Sequence, residues 1–257
     1  MAEYNTSHIH AFGSKGTDVL LQMMDLPDNA KVLEIGCGTG ATLIEVKDKF
    51  PLVDLSGMDI SEKMIKKAKQ RLKCCGLRDQ IKVFDSRVFN EIPPNSYDLI
   101  YAESVLAIIE GASLSKLLKL IYKTLKKDGL LLVNESLWLK TIATDEIFQL
   151  NEKAKNEFGI IQCRSEFQES EQLNNYFKSN NFKITNIKPI DEISVQKRHS
   201  FNKTKSGIYT KIGKLNERVN SIFNEDYHYF EQSINAFFSS RKQYLRGNLI
   251  FIKKVSA

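Results

Sequence analysis

The sequence predicts a doubly wound α/β fold over about residues 30–135, with a parallel sheet covered by helices on both faces. Short apolar runs alternate with longer stretches of helical period, which is the pattern of βαβ units. Two of the runs, Val32–Ile35 (VLEI) and Leu130–Val133 (LLLV), fit strands buried on both sides. The length of 257 residues, with 42% apolar and 26% charged, suits one α/β domain with a real core and excludes wholesale disorder.

The elements follow in order. Lys31–Ile35 is a strand ending at a glycine cluster, and Ala41–Phe50 is a helix closed by Pro51. Val53–Asp59 is the second strand. Ser61 caps a helix through Cys75, and Gly76 is a natural C′ residue. Ile81–Asp85 and Tyr97–Glu103 are the third and fourth strands. Leu114–Lys127 is amphipathic, with Leu117, Leu118, Ile121 and Leu125 on one face, and Leu130–Asn134 is the fifth strand. Beyond it, Trp138–Phe158 and Ser170–Ser179 read as helices, and Phe182–Ile187 alternates as a strand. Phe201–Phe223 and Glu225–Tyr244 are helical, the latter rich in aromatics, and Leu249–Lys253 closes as a strand. The chain is thus expected to be a single domain, 1–257, with its core at 30–135. Residues 137–180 and 197–245 form a helical lid over the C-terminal edge of the sheet, where α/β proteins bind ligands.

Composition narrows the classes. No apolar run approaches the length of about 18 residues that a membrane span needs, and Met1–Lys15 has no apolar signal region, so the expected location is the cytoplasm. Cys37, Cys74, Cys75 and Cys163 make no disulfide framework and show no zinc spacing, so no metal is expected. The net charge is +6, and residues 181–257 hold 14 Lys/Arg against 6 Asp/Glu. That basic third reads as a solvated face, or as an attractor of acidic partners.

The most informative segment is Val32–Gly40, VLEIGCGTG. Gly36, Gly38 and Gly40 lie between strand and helix, where glycine permits a tight turn and close approach of a ligand to the backbone. Gly36-x-Gly38-x-x-Ala41 also loosely fits a dinucleotide-binding turn. Glu34, two residues before Gly36, argues against that: its carboxylate repels a pyrophosphate but suits an ammonium or a sulfonium, and S-adenosylmethionine carries both. Asp59, 19 residues after Gly40, closes the second strand, where a carboxylate accepts ribose hydroxyls. Asp85, followed by Ser86, closes the third within reach of an adenine edge.

The order VLEIGCGTG, GMDIS, VFDS, YDLIYAES, LKKDGLLLV resembles the class I S-adenosylmethionine-dependent methyltransferases over residues 30–135. The resemblance implies a Rossmann-like, seven-stranded, mostly parallel sheet with its last strand antiparallel. It implies that Glu34 and the loop of Gly36, Cys37, Gly38 and Gly40 hold the methionine moiety and that Asp59 holds the ribose. Asp85 and Ser86 then flank the adenine, Ile60 and Met64 pack on its ring, Ala102 adjoins the cofactor, and His8–Gly13 folds over it. S-adenosylhomocysteine is the implied product.

Methyl transfer from a sulfonium is a displacement in which the protein mainly aligns nucleophile and methyl, so catalytic residues are weakly encoded. Glu103, ending the fourth strand, is the first candidate for substrate contact or general base, or for holding the cofactor's ammonium. Glu135 is the second candidate. His8, His10, His199 and His228 are possible bases in the leader and the lid, and Lys197, Arg198, Lys203 and Lys205 form a basic cluster suited to a phosphate or carboxylate. Tyr101-Ala102-Glu103-Ser104 departs from the Asn/Asp-Pro-Pro-Tyr/Phe stretch of enzymes that methylate base amines. The expected acceptor is a small molecule, with nucleic acid disfavoured and the chain a monomer or homodimer. The alternatives are RNA or protein methylation, an NAD(P)-dependent oxidoreductase, or a non-catalytic cofactor-binding module.

Overall fold

The computed structural model describes residues 13–169, 171–195, 202, 204–211 and 243–255. Seven strands form one sheet in the order β3-β2-β1-β4-β5-β7-β6. They are β1 (Lys31–Ile35), β2 (Asp54–Asp59), β3 (Ile81–Asp85), β4 (Tyr97–Glu103), β5 (Leu125–Trp138), β6 (Phe182–Pro189) and β7 (Leu245–Lys254). The pairs among β1–β5 are parallel, and β7 runs antiparallel to both β5 and β6.

The helices are α1 (Gly13–Met23), α2 (Ala41–Lys49), α3 (Glu62–Cys75), α4 (Ser113–Thr124), α5 (Thr144–Phe158) and α6 (Glu171–Ser179). Successive residues of β1 point to opposite faces. Val32 joins a core with Val19, Leu43 and Leu72 from α1, α2 and α3. Leu33 joins a second core with Leu118, Ile147 and Phe177 from α4, α5 and α6. The sheet is therefore wound on both faces, and the strand order reverses direction between β1 and β4. The crevice beyond the carboxyl ends of those two strands is the natural ligand site of such a sheet.

Local chemistry sets the boundaries. The Ser61 hydroxyl accepts from Met64 N–H at the start of α3, and Gly76 takes φ 74° at its end. Several boundaries differ from the sequence reading: β7 begins at Leu245 rather than Leu249, β6 runs on to Pro189, and the largest differences surround β5. α4 stops at Thr124, and β5 begins at Leu125 because that residue is already extended and pairs with Tyr97. β5 also runs on to Trp138, which the helical pattern had assigned to the following helix. β7 explains the extension, since its residues Asn248 to Leu245 pair with Glu135 to Trp138. The Trp138 ring is fully buried and stacks on Tyr244 at 5.7 Å.

Of the expected lid, α6 packs on β6, and α5 contributes Ile147 to the core beneath α4. A helical stretch over 204–211 lies against α3, where Arg71 donates to Ser206 and Thr210. Apart from Asn202, the remainder of 197–242 lies outside the described residues, including His199, His228 and the basic residues Lys197, Arg198 and Lys203. So do the leader residues His8 and His10.

Candidate functional site

A cleft of about 560 Å³ opens at the carboxyl ends of β1, β2 and β4, a volume typical of small-ligand sites. The glycine loop forms its floor. Gly36 and Cys37 N–H groups both donate to Met58 O, at 2.8 and 2.9 Å, which ties the loop to β2. Gly36 has φ 71°, and a Cβ there would lie 2.4 Å from a Val105 methyl, so both backbone and space require glycine. Gly38 has φ 51°, and a Cβ on it would meet open space.

Asp59 stands at the end of β2 with its carboxylate held by two backbone donors, Gly38 N–H at 2.9 Å and Ser61 N–H at 2.8 Å. That fixes its orientation at the mouth of the cleft. Ile60 beside it is 77% exposed, a large apolar side chain presented to the opening. Met64 and Ser86 line the same end.

The inner end is acidic. Glu34 is buried and accepts from the Tyr101 hydroxyl at 3.0 Å. Its carboxyl is held well above the usual range, first by burial and then by the nearby Glu103 charge. Burial likewise raises the Cys37 thiol. Glu103 accepts from Thr42 at 2.8 Å, Asn134 at 3.0 Å and Thr17 at 3.2 Å. Those three donors come from α2, β5 and α1, so four elements converge on one carboxylate. Ser104, the next residue, takes φ 54°, an uncommon conformation for a side chain other than glycine or asparagine. The far wall is apolar: Val105, Ile108, Ile109 and Leu117.

Of the expected site residues, the structure brings together Glu34, Gly36, Cys37, Gly38, Asp59, Ile60, Met64, Ser86 and Glu103 around this cleft. Four others lie beside it without lining it. Gly40 caps α2 with φ 76° and backs onto Ala68. Ala102 is buried inside β4 between Ile35 and Val133. Asp85 is engaged by Arg87, whose side chain and backbone lower its carboxyl to about 2. Glu135 is buried within β5 and accepts from the N–H groups of Val105 and Leu106 at 2.9 and 2.7 Å.

The sequence reading missed Thr17, Thr42, Asn134 and Tyr101. Asn134 left a signal, as the polar residue directly after the apolar run LLLV, whereas nothing in the sequence marked Thr17 or Thr42.

The donor set of this cleft fits a cationic ligand. Among its described lining residues are three carboxylates, Glu34, Asp59 and Glu103, and no Lys, Arg or His. Pyrophosphate would meet uncompensated negative charge there, while an ammonium or sulfonium would relieve the repulsion that raises Glu34. S-adenosylmethionine fits: acids for its positive groups, an oriented carboxylate for its ribose, and an exposed isoleucine for its base.

This sheet order, with a glycine loop after β1 and an acid ending β2, defines the class I S-adenosylmethionine-dependent methyltransferase fold. Residues 33–131 match the family model described as "Methyltransferase domain". The chain is 36% identical over 112 residues to a carboxy-S-adenosyl-L-methionine synthase of Nautilia profundicola, covering 44% of this chain and 47% of that protein. It is 28% identical over 132 residues to a phosphoethanolamine N-methyltransferase of Plasmodium falciparum, covering 51% of this chain and 48% of that protein. In fold it is similar to an S-adenosylmethionine-dependent methyltransferase of Thiobacillus denitrificans solved with S-adenosyl-L-homocysteine. The TM-score is 0.65 and the identity 14%, over 98% of this chain and 96% of the other. The chain spans about half the length of the curated relatives it matches. Over residues 33–131 the chain is thus similar to a methyltransferase domain, and its fold is that of solved S-adenosylmethionine-dependent methyltransferases.

Proposed function

We propose that the protein transfers a methyl group from S-adenosylmethionine to a small-molecule acceptor. The observation that carries this reading is the convergence of Glu34, Glu103 and Asp59 with the glycine loop in one cleft. The names of the relatives, a carboxy-S-adenosyl-L-methionine synthase and a phosphoethanolamine N-methyltransferase, both concern small molecules, which supports a small acceptor. When bound, S-adenosylmethionine supplies an activated methyl on a sulfonium.

The chain's own residues bind and orient. Asp59, aimed by Gly38 and Ser61, receives the ribose hydroxyls. Glu34 and Glu103 hold positive charge at the inner end. Glu103 is already engaged by three donors, which suits a fixed charge better than a proton carrier. The apolar wall of Val105, Ile108, Ile109 and Leu117 excludes water from the side where the acceptor enters. Gly40, Ala102, Asp85 and Ser86 then act by shaping the floor and the adenine end.

The test is to incubate the protein with methyl-labelled S-adenosylmethionine and a fractionated cell lysate, counting label in small molecules, RNA and protein. Label in the small-molecule pool is expected. Label confined to RNA or protein would overturn the acceptor assignment while leaving the cofactor reading intact.

A further inference from the structure

One wall of the cleft is the segment Ser104–Gly111, built around a single 3-10 turn at Leu106–Ile108, and its Ser104, Val105, Ile108 and Ile109 face the ligand space. Such a segment cannot satisfy its backbone groups through a regular ladder, so they need partners from elsewhere. Two buried ionisable side chains supply them, and neither lines the cleft. Glu135, from β5, accepts from the N–H groups of Val105 and Leu106 through a single oxygen. Arg164 reaches the other end, donating from one guanidinium nitrogen to Ile109 O at 2.7 Å and to Gly111 O at 3.1 Å. Its own backbone N–H meets Ala107 O at 2.7 Å.

Arg164 is itself fixed. Its second nitrogen pairs with Glu166 at 2.6 Å, and its guanidinium lies 5.2 Å from the Tyr176 ring centre. The Trp138 indole N–H lies 3.0 Å from the Cys163 and Arg164 carbonyls, and Asn151 of α5 donates to Cys163 O at 2.8 Å. The part of the chain expected to be a lid thus reaches the cleft from behind its wall. Burying a carboxyl group and a guanidinium is costly where apolar side chains could fill the same space. These two are the groups that can grip the donors at one end of the wall and the acceptors at the other. The wall's position matters because Val105 packs directly on Gly36 of the loop.

We infer that Glu135 and Arg164 are positioning residues that clamp the Ser104–Gly111 wall at its two ends and so set the cleft for its ligand. This rests on the methyltransferase reading of the cleft for the identity of the ligand, though not for the clamp.

The experiment compares Glu135→Leu, Glu135→Gln, Arg164→Met and Arg164→Lys with the unchanged protein. Amide hydrogen exchange is read at Val105 and Leu106 and at the sheet residues Ile100 and Leu132, and S-adenosylhomocysteine affinity is read by calorimetry. Glu135→Leu is expected to speed exchange at Val105 and Leu106 while sparing the sheet. Both Glu135→Leu and Arg164→Met are expected to weaken affinity about tenfold, the loss of one or two hydrogen bonds to charged groups. Glu135→Gln keeps an acceptor oxygen and restores both readouts, and Arg164→Lys keeps a donor and recovers part of the affinity. Unchanged affinity in Glu135→Leu and Arg164→Met overturns the clamp, as does a loss of protection spread evenly over the sheet. Absence of S-adenosylhomocysteine binding by the unchanged protein contradicts the cofactor reading instead, and the exchange measurement still decides the clamp.

Discussion

Asn134 and Glu103 face each other in register on β5 and β4, and the Asn134 amide donates to the Glu103 carboxylate at 3.0 Å. Both are buried, so the amide takes the place of water around a charge that a sheet interior would otherwise reject. Asn134→Leu should cost about 1–3 kcal/mol of stability and weaken cofactor binding together. Urea unfolding with and without S-adenosylhomocysteine measures both, and a variant as stable and as tight as the parent would remove Asn134 from the account.

Asp59→Ala should leave the fold intact and lower affinity for S-adenosylmethionine at least about tenfold. Each charge-assisted hydrogen bond to a ribose hydroxyl is worth roughly 1.5–3 kcal/mol. Calorimetric titration reads this directly, and unchanged affinity would mean that the ribose lies elsewhere.

Glu34→Gln should separate stability from function. The Glu34 carboxyl is raised by burial and by Glu103, so its ionisation works against the folded state as pH rises. The glutamine variant should melt no lower than the parent at pH 8 while binding S-adenosylmethionine more weakly. A melting temperature that falls along with affinity would show Glu34 to be a structural acid.

Glu135 gives a pH signature. Burial holds its carboxyl up to about 8, above the ordinary 4.5. A raised carboxyl favours folding fully below pH 4.5, and that contribution declines with rising pH until it is gone above about 8. The full decline amounts to roughly 5 kcal/mol. Unfolding free energies at pH 5.5 and 8.5 should therefore differ more in the parent than in Glu135→Gln, and equal pH slopes would contradict the assignment.

Gly36→Ala should destabilise by about 1–3 kcal/mol, since alanine resists φ 71° and its methyl collides with Val105. Adding Val105→Ala should recover the steric part and leave the backbone part. Thermal unfolding of the single and double variants tests this, with no recovery counting against the Val105 contact.

What could be read from the sequence was what local chemistry writes. β1, β3, β4 and both ends of α3 lie where apolar runs and capping residues put them. That Glu34, Gly36, Gly38 and Asp59 share one cleft was legible for the same reason, because they sit at strand ends and in the turn after β1. The extension of β5 to Trp138 was not legible, because it depends on pairing with β7, more than a hundred residues away. Likewise Glu135 looked like a catalytic acid at a strand end, and only the course of the loop after β4 shows which backbone groups it holds. Arg164 carried no signal at all, since its partners are carbonyls about 55 residues earlier.

The most direct measurement is a calorimetric titration of the unchanged protein with S-adenosylmethionine, S-adenosylhomocysteine and, separately, NADH and NADPH. An acidic cleft with an oriented ribose carboxylate predicts single-site binding of the first two and none of the nucleotides. Binding of NADH or NADPH, with no heat from S-adenosylmethionine, would contradict the account at its centre.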